Sequence, residues 1–431
     1  MRHLLADRNF RRLFVGRLVT NAGDSLYYVA AMWLVWKLTS DPVYTGVAGF
    51  LTMGPSALQF LLGPLVDRWD VRRILVGTQA VQAVLVLAIP LAAYTGHLTV
   101  WVVLTVMPVL SLLNQFVYPA QSAALPRIVE QEDLVDANSA FSLAYQGVDM
   151  VFNATGGILV AVLGAVTLYA VDSVTFLAAA ATFAGVRIPP AADAESRAPA
   201  DASTENVATD GGEPADTEGA AGGYVAELRE GFTFLRGTFL VLVLVGSAFV
   251  NFGAGAAMAV LPPFAASIGG ASAYGALMAA FAAGNLTGAL VAGRLDHLPL
   301  GRLTIGAFVA SGVLFVAAAS VAWFPAVLAL FGLATVPLGL TNVLLASVVQ
   351  SAVPESKLGR VSSLLGSAST AAMPVGTLVG GVVASVLWPA AVLAGFGVTV
   401  VVLAGYWLVT PRLRRLPRIG DIDTLDRTAE T

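Results

Sequence analysis

The sequence predicts an all-α integral membrane protein: twelve transmembrane helices in two pseudo-symmetric halves of six, with both termini in the cytoplasm. Three observations carry this. The 431 residues are 57% hydrophobic and only 12% charged, about half the charged fraction of soluble proteins. Twelve apolar runs are present, each near the roughly 20 residues a helix needs to cross a bilayer. Arginine is confined to alternate loops, the pattern that fixes orientation in a membrane.

The runs cover about 11 to 38, 44 to 66, 73 to 94, 99 to 123, 138 to 162, 166 to 186, 239 to 264, 272 to 296, 301 to 322, 325 to 350, 362 to 387 and 389 to 410. They read as helices, because an open sheet leaves backbone groups unpaired in lipid and the runs are too long for barrel strands. Arginines precede the first run at 2, 8, 11 and 12, and follow the second at 68, 72 and 73. Others follow the fourth at 127, the sixth at 187, 197, 229 and 236, the eighth at 294 and 302, and the tenth at 360, with more in the tail. The intervening loops have none, and Lys37 is their only strong base. The first run is flanked by charge and has no small-residue cleavage pattern, so it is expected to remain as a helix.

The organisation expected is a six-helix bundle over 1–187, a disordered acidic cytoplasmic linker over 188–223, an amphipathic interfacial helix over 224–237, a second bundle over 238–410 and a cytoplasmic tail over 411–431. Residues 190 to 223 carry eight acids against Arg197 alone, too little apolar surface to fold. After it, Val225, Leu228, Phe232 and Leu235 recur at helical spacing opposite Glu227, Arg229 and Glu230. The absence of cysteine excludes disulfides and thiolate chemistry. The three histidines are scattered, no metal site or cofactor is expected, and no nucleophile with a base or phosphate-binding loop points to an enzyme. The arginines are explained by topology, so nucleic acid is not an expected partner.

A charged loop, Gly63 to Leu75, holds Asp67, Arg68, Asp70, Arg72 and Arg73 between two membrane-length runs. It resembles the loop between the second and third helices of major facilitator superfamily transporters, with Val71 where a third basic residue is common. The wording Asp-Arg-Trp-Asp is closest to the enterobactin-exporter and macrolide-efflux-like branch. Gly-Arg-Leu-Asp-His-Leu-Pro-Leu-Gly-Arg (293 to 302) echoes this loop in the second half, and the segments around Pro126 and Pro354 echo each other. The resemblance implies the superfamily's fold, a plasma-membrane location, a monomer and alternating access. Gly63, Asp67, Arg68, Asp70, Arg72, Arg73 and Arg360 then form a gating motif. In the outward-facing state Asp67 would rest at the start of helix 11 beside Ser362 and Ser363, and Arg72 and Arg73 would meet Glu130, Glu132 or Asp133.

Ionisable groups at membrane depth are costly and usually functional. Arg17, Asn21, Asp24 and Tyr28 fall on one face of the first helix at 100° per residue; the structural alternative has Arg17 snorkelling and Asp24 held by a helix-end bond. Asp149 shares a face with Tyr145 and Asn153 on the fifth helix, and either carboxylate is a candidate proton carrier. Asp172 is expected to anchor the start of the sixth helix. Asn114, Gln115, Tyr118, Asn251, Asn285 and Asn342 sit among large apolar residues, a setting suited to amphipathic solutes. The function expected is a multidrug-type antiporter that exports an amphipathic small molecule (drug, macrolide or siderophore-like) against protons or another coupling ion. The alternatives are an importer or lipid transporter of the same fold, or a non-transporting sensor.

Overall fold

The computed structural model describes residues 2–58, 69–189, 235–236 and 238–422. The linker over 190–223, the amphipathic stretch up to residue 234, and Gly63, Asp67 and Arg68 of the charged loop lie outside the described residues. So do the side chains of Asn153, Arg360 and Ser363.

All regular structure among the described residues is helical. After a short turn at Arg2–Ala6, α1 (Arg8–Thr39) begins at Asp7, whose carboxylate accepts from the amide of Phe10 at 2.7 Å. α2 (Pro42–Met53) is capped by Asp41, with proline at the first helical position, where its missing N–H costs nothing. It tightens into a 3-10 turn at Gly54–Leu58, which contains Pro55. Asp70 caps α3 (Val71–Tyr94), accepting from the amide of Arg73 at 3.0 Å. The chain continues through α4 (Val100–Ile128), α5 (Leu134–Leu163), α6 (Ala165–Ala184), α7 (Phe239–Ile268), α8 (Gly270–Leu295), α9 (Leu300–Ser320) and α10 (Phe324–Ala352). α11 is Glu355–Thr370 continued as Ala372–Val386, and α12 is Pro389–Val409.

Several runs expected to be unbroken are interrupted. α3 breaks at Leu87, α4 at Gln115 and α11 at Ala371. In each case a proline, Pro90, Pro119 or Pro374, follows three or four residues later. Proline has no N–H for the carbonyl four residues before it and its ring crowds that carbonyl, so the ladder opens there. α11 also starts seven residues before the expected 362, because its first part is an amphipathic segment that apolar length does not reveal.

Nine helices among the described residues are long and apolar enough to cross a membrane. α1 and α5 have the length, 32 and 30 residues, but carry the polar stripes containing Asp24 and Asp149.

Packing repeats with a period of six helices. α1 packs on α5 and α6, α2 on α4, and α3 on α6; correspondingly α7 packs on α11 and α12, α8 on α10, and α9 on α12. The two sets meet chiefly through α5 against α8 and α2 against α11. Both seams lie at the end of the bundle remote from the chain termini. There Gly157 meets Gly275 backbone to backbone, so a Cβ on either would overlap the other's main chain. Gly46 and Gly381 make the second crossing, where an added Cβ would lie 2.6 to 2.9 Å from the opposing backbone. Trp33 of α1 stacks on Tyr274 of α8 beside the first seam.

At the other end the chain after α12 folds back. Leu413 and Leu416 are buried, and the carbonyls of Leu416 and Pro417 accept from the amides of Gly301 and Leu300 at 3.3 and 3.1 Å. The strap thus satisfies orphan donors at the start of α9, which has no side-chain cap. Gly301 leaves room for it, since a Cβ there would overlap the carbonyls of Leu413 and Arg414.

Candidate functional site

The polar stripe of α1 docks on α5 and α4. The amide of Asn21 and the hydroxyl of Ser25 both donate to one carboxylate oxygen of Asp149, at 2.9 and 2.7 Å. Asn21 also donates to the Tyr145 carbonyl at 3.3 Å, one turn back on α5. Asp24 accepts from the amide of Asn114 on α4 at 2.9 Å. Neighbouring turns of one helix therefore hold two carboxylates apart, Asp149 on one side and Asp24 on the other.

Arg17 is only 7% exposed. Its Nε donates to Gln121 at 2.7 Å and to the Tyr145 hydroxyl at 2.9 Å, and its guanidinium lies 5.2 Å from the Tyr145 ring centre. Tyr145 in turn donates to Gln121. The cation is held by amide, hydroxyl and ring, and among the described residues neither Asp24 nor Asp149 has a basic group within 4.0 Å.

A cavity of about 350 Å³ lies between the halves. Asp24, Ser25, Tyr28 and Asp149 form one wall, and Met258, Met278, Phe281 and Met373 the other. All the charge of this lining belongs to the first half, which also adds Met53, and the residues of α7, α8 and α11 that face it are apolar. A second cavity of about 200 Å³ opens behind Met258, Phe281 and Met373 within the second half, where Asn251, Asn285 and Asn342 are its polar groups. Asn251 and Asn285 donate to carbonyls one turn back on their own helices, at 2.9 and 3.0 Å, which leaves their side-chain oxygens to accept. Gln115 and Asn114 line a third cavity, of about 130 Å³, inside the first half.

The structure brings Arg17, Asn21, Asp24, Tyr28 and Asp149 together, with Asn114 and Gln115 behind them and the three asparagines across the gap. Tyr118 is 54% exposed and outside these three linings, within electrostatic reach of Tyr145. Asp172 departs from the expectation. It lies in the third turn of α6, wholly buried, with Thr175 donating to it at 3.1 Å, and so anchors no helix start. The partners expected for the loop arginines belong to the outward-facing state, and in this structure the two side chains bond elsewhere. Arg72 donates to the carbonyl of Ala184 at the end of α6, and Arg73 stays exposed with Asp70 at 3.9 Å. Asp133 instead accepts from His3 at 2.8 Å. The reason is that α3 packs on α6, which points Arg72 at the free carbonyls there.

Sequence reasoning missed a polar seam inside the first half. Thr20 donates to Gln79 at 2.9 Å, Gln79 to Gln82 at 3.0 Å, and Gln82 to the Leu110 carbonyl at 3.2 Å, all buried. Two glutamines three apart in an otherwise apolar run are the signal that would have found it. Among the described residues, no group of three His, Cys, Asp or Glu is placed to hold a metal ion.

Residues 4–209 match the family described as "Transmembrane secretion effector", and residues 243–423 match "Major Facilitator Superfamily". A Bacillus subtilis (strain 168) protein named as the uncharacterized MFS-type transporter YvqJ is 28% identical over 140 residues, covering 32% of this chain and 33% of that protein. Macrolide efflux protein A of Streptococcus pyogenes is 26% identical over 186 residues, 43% of this chain and 46% of that protein. The matched region thus spans less than half the length of these curated relatives. Among solved structures, a bacterial homologue of the human lysosomal transporter Spinster, in an inward-facing conformation, aligns with TM-score 0.64 at 14% identity over 94% of this chain and 96% of that one. A bacterial homologue of the iron transporter ferroportin in an inward-facing state aligns with TM-score 0.62 at 16% identity, over 93% and 98%. At these identities the solved structures speak for the fold alone.

Proposed function

Since the chain belongs to the major facilitator superfamily, in its macrolide-efflux-like branch, and is a multi-pass integral membrane protein that carries out transport rather than catalysis, we propose that it exports amphipathic organic solutes by secondary active transport. The observation that carries this reading is the cavity between the halves, with Asp24 and Asp149 on one wall and Met258, Met278, Phe281 and Met373 on the other. An elongated solute with a polar or cationic head and an apolar body fits both walls, and methionine adapts to bodies of different shape. The apolar cavity behind Phe281 extends the second wall.

In this reading the chain has twelve spans in two halves, cytoplasmic termini and a monomeric working unit. The seams at Gly157–Gly275 and Gly46–Gly381 seal the outer face in the state described, and the cavity opens to the cytoplasm. Export proceeds as a cation, in the simplest case a proton, enters while the solute leaves. Binding of that cation at the N-half carboxylates biases the halves by no more than its difference in affinity between the two states. The charged loop after α2 and Arg360 on α11 gate the cytoplasmic side.

The test uses inside-out vesicles with an acid interior and a pH-sensitive dye. Addition of a lipophilic cation or a macrolide is expected to release protons with the parent protein, and not with Asp149→Asn. A parallel set of vesicles carries a sodium gradient instead. Solute movement that ignores both gradients, or that is unaltered in Asp149→Asn and Asp24→Asn, would overturn the reading.

A further inference from the structure

The cavity of about 200 Å³ in the second half is bounded by all six of its helices, from Asn251 on α7 to Phe396 on α12. The space exists because α7 lines it with small side chains: Ala254 and Ala257, one turn apart, stand where larger residues would fill it. It opens to the cavity between the halves past Met258, Phe281 and Met373, which line both. An apolar cavity of about 150 Å³ takes one benzene molecule. The second-half cavity therefore takes a single ring with its substituent or two fused rings, and nothing as broad as a macrocycle.

Two features of the lining define what such a ring must carry. The first is aromatic. Phe315 meets Phe331 and Phe396 edge to face, at 5.5 and 4.9 Å between ring centres, and all three line the cavity. A further ring entering past Phe281 extends this cluster in the arrangement aromatic rings prefer. The second feature is polar. Asn251 and Asn285 each spend an N–H on a carbonyl of their own helix, which fixes the amide and leaves its oxygen with no donor among the described residues. Asn342, in the same lining, makes no hydrogen bond to any described residue. A ring that enters displaces water from these oxygens, so it binds well only where it brings a donor of its own. Since no described residue of the lining is charged, that donor is a neutral one.

Resting on the transport reading above, we propose that the second-half cavity is the specificity subsite of the transporter. It takes a planar ring bearing a neutral hydrogen-bond donor, a phenolic hydroxyl or a ring N–H, while the cationic head of the solute stays with Asp24 and Asp149. Asn251, Asn285 and Asn342 read the donor, and Ala254 and Ala257 set the size of the ring. The solute class is thereby narrowed from amphipathic compounds in general to slim aryl cations with a donor on the ring. A macrocycle reaches only the cavity between the halves and gains nothing from the three asparagines.

The experiment measures binding by calorimetry to the purified full-length protein in nanodiscs. The probes share a trimethylammonium head on a short alkyl chain, which ends in a para-hydroxyphenyl, a para-methoxyphenyl, a phenyl group or no ring. The hydroxyphenyl probe is expected to bind about tenfold tighter than the methoxyphenyl one. In Asn251→Leu and Asn285→Leu that preference disappears while the phenyl probe binds as well as before or better, a change of selectivity that loss of structure does not produce. Ala254→Leu fills the cavity and brings the ring-bearing probes down to the affinity of the ringless one, which is itself unchanged. Each variant is first checked for a monodisperse elution profile, and Asn342→Leu provides the reading if the other asparagine variants fail to fold. No gain in affinity from the ring in the parent, equal affinity for the hydroxy and methoxy probes, or a preference that survives the asparagine variants would overturn the proposal. Gradient-driven export of the probes without regard to the ring removes the subsite and leaves the transport reading standing. Selective binding with no export of any probe does the reverse.

Discussion

Replacing Gly157 by valine is expected to weaken the closed seam between α5 and α8. The glycine faces Gly275 with no room for a Cβ, and the opposing atoms are backbone, which cannot rotate away as a side chain can. Overpacking of this kind costs about 1–3 kcal/mol. The penalty falls on the state in which α5 and α8 touch and spares any state in which they part. At about 1.4 kcal/mol per factor of ten, a penalty of about 2 kcal/mol shifts that equilibrium roughly 30-fold. The chain has no cysteine, so an introduced thiol reports without background. Ala273 on α8, two residues before the crossing, is 1% exposed. In an Ala273→Cys background, Gly157→Val should raise the labelling rate by a membrane-impermeant maleimide about tenfold or more. Gly293→Ala, on the same helix with open space around it, should leave the rate unchanged. An unaltered rate in Gly157→Val, in protein whose thermal midpoint matches the parent, would refute the argument that this glycine pair holds the end shut.

Other outcomes follow from single contacts. Arg17→Met removes two charged hydrogen bonds and the contact over Tyr145 while leaving Tyr145 and Gln121 bonded to each other; a loss of about 1.5–3 kcal/mol, read as a lower thermal midpoint in detergent, is expected. Phe281→Ala joins the cavity between the halves to the one behind it, and the half-saturating concentration of a bulky hydrophobic solute should rise about tenfold. Gly301→Val displaces the strap at Leu413 and Arg414, so trypsin should cut after Arg414, Arg415 or Arg418 several times faster than in the parent, with the six-helix packing intact by circular dichroism.

Much of the fold is legible in the sequence because burial in lipid is additive along the chain. A run such as 301 to 322 states its own length and needs no partner to be recognised. The helices carrying the candidate site are the ones that apolar length describes worst: α1 and α5 lose hydropathy to Arg17, Asn21, Asp24 and Asp149, and those losses mark where to look. What the sequence does not carry is the choice of partner. Arg72 has acids nearby in the chain at 130 to 133, yet it bonds the end of α6, since helix packing brings carbonyls there that no residue name announces. Asp172 lies near a run boundary in the sequence, but α6 begins at Ala165 after Gly164 takes a φ of 81°, which places the carboxylate a full two turns inside. Asp149 and Asp24 are equally visible as letters; only the bonds from Ser25 and Asn114 show that one is held by α1 and the other by α4 on a shared cavity wall.

The strap after α12 bears on how the chain is made. The first amides of α9 find their acceptors on Leu416 and Pro417, over a hundred residues further along. When α9 leaves the ribosome those donors have no protein partner and must be served by water or by lipid headgroups. The start of α9 is therefore completed last, after α12 has been laid beside it. A nascent chain arrested between residues 410 and 416 carries every apolar run described here and still has an unfinished helix at the start of α9, a place where a quality-control factor could tell a finished chain from an interrupted one.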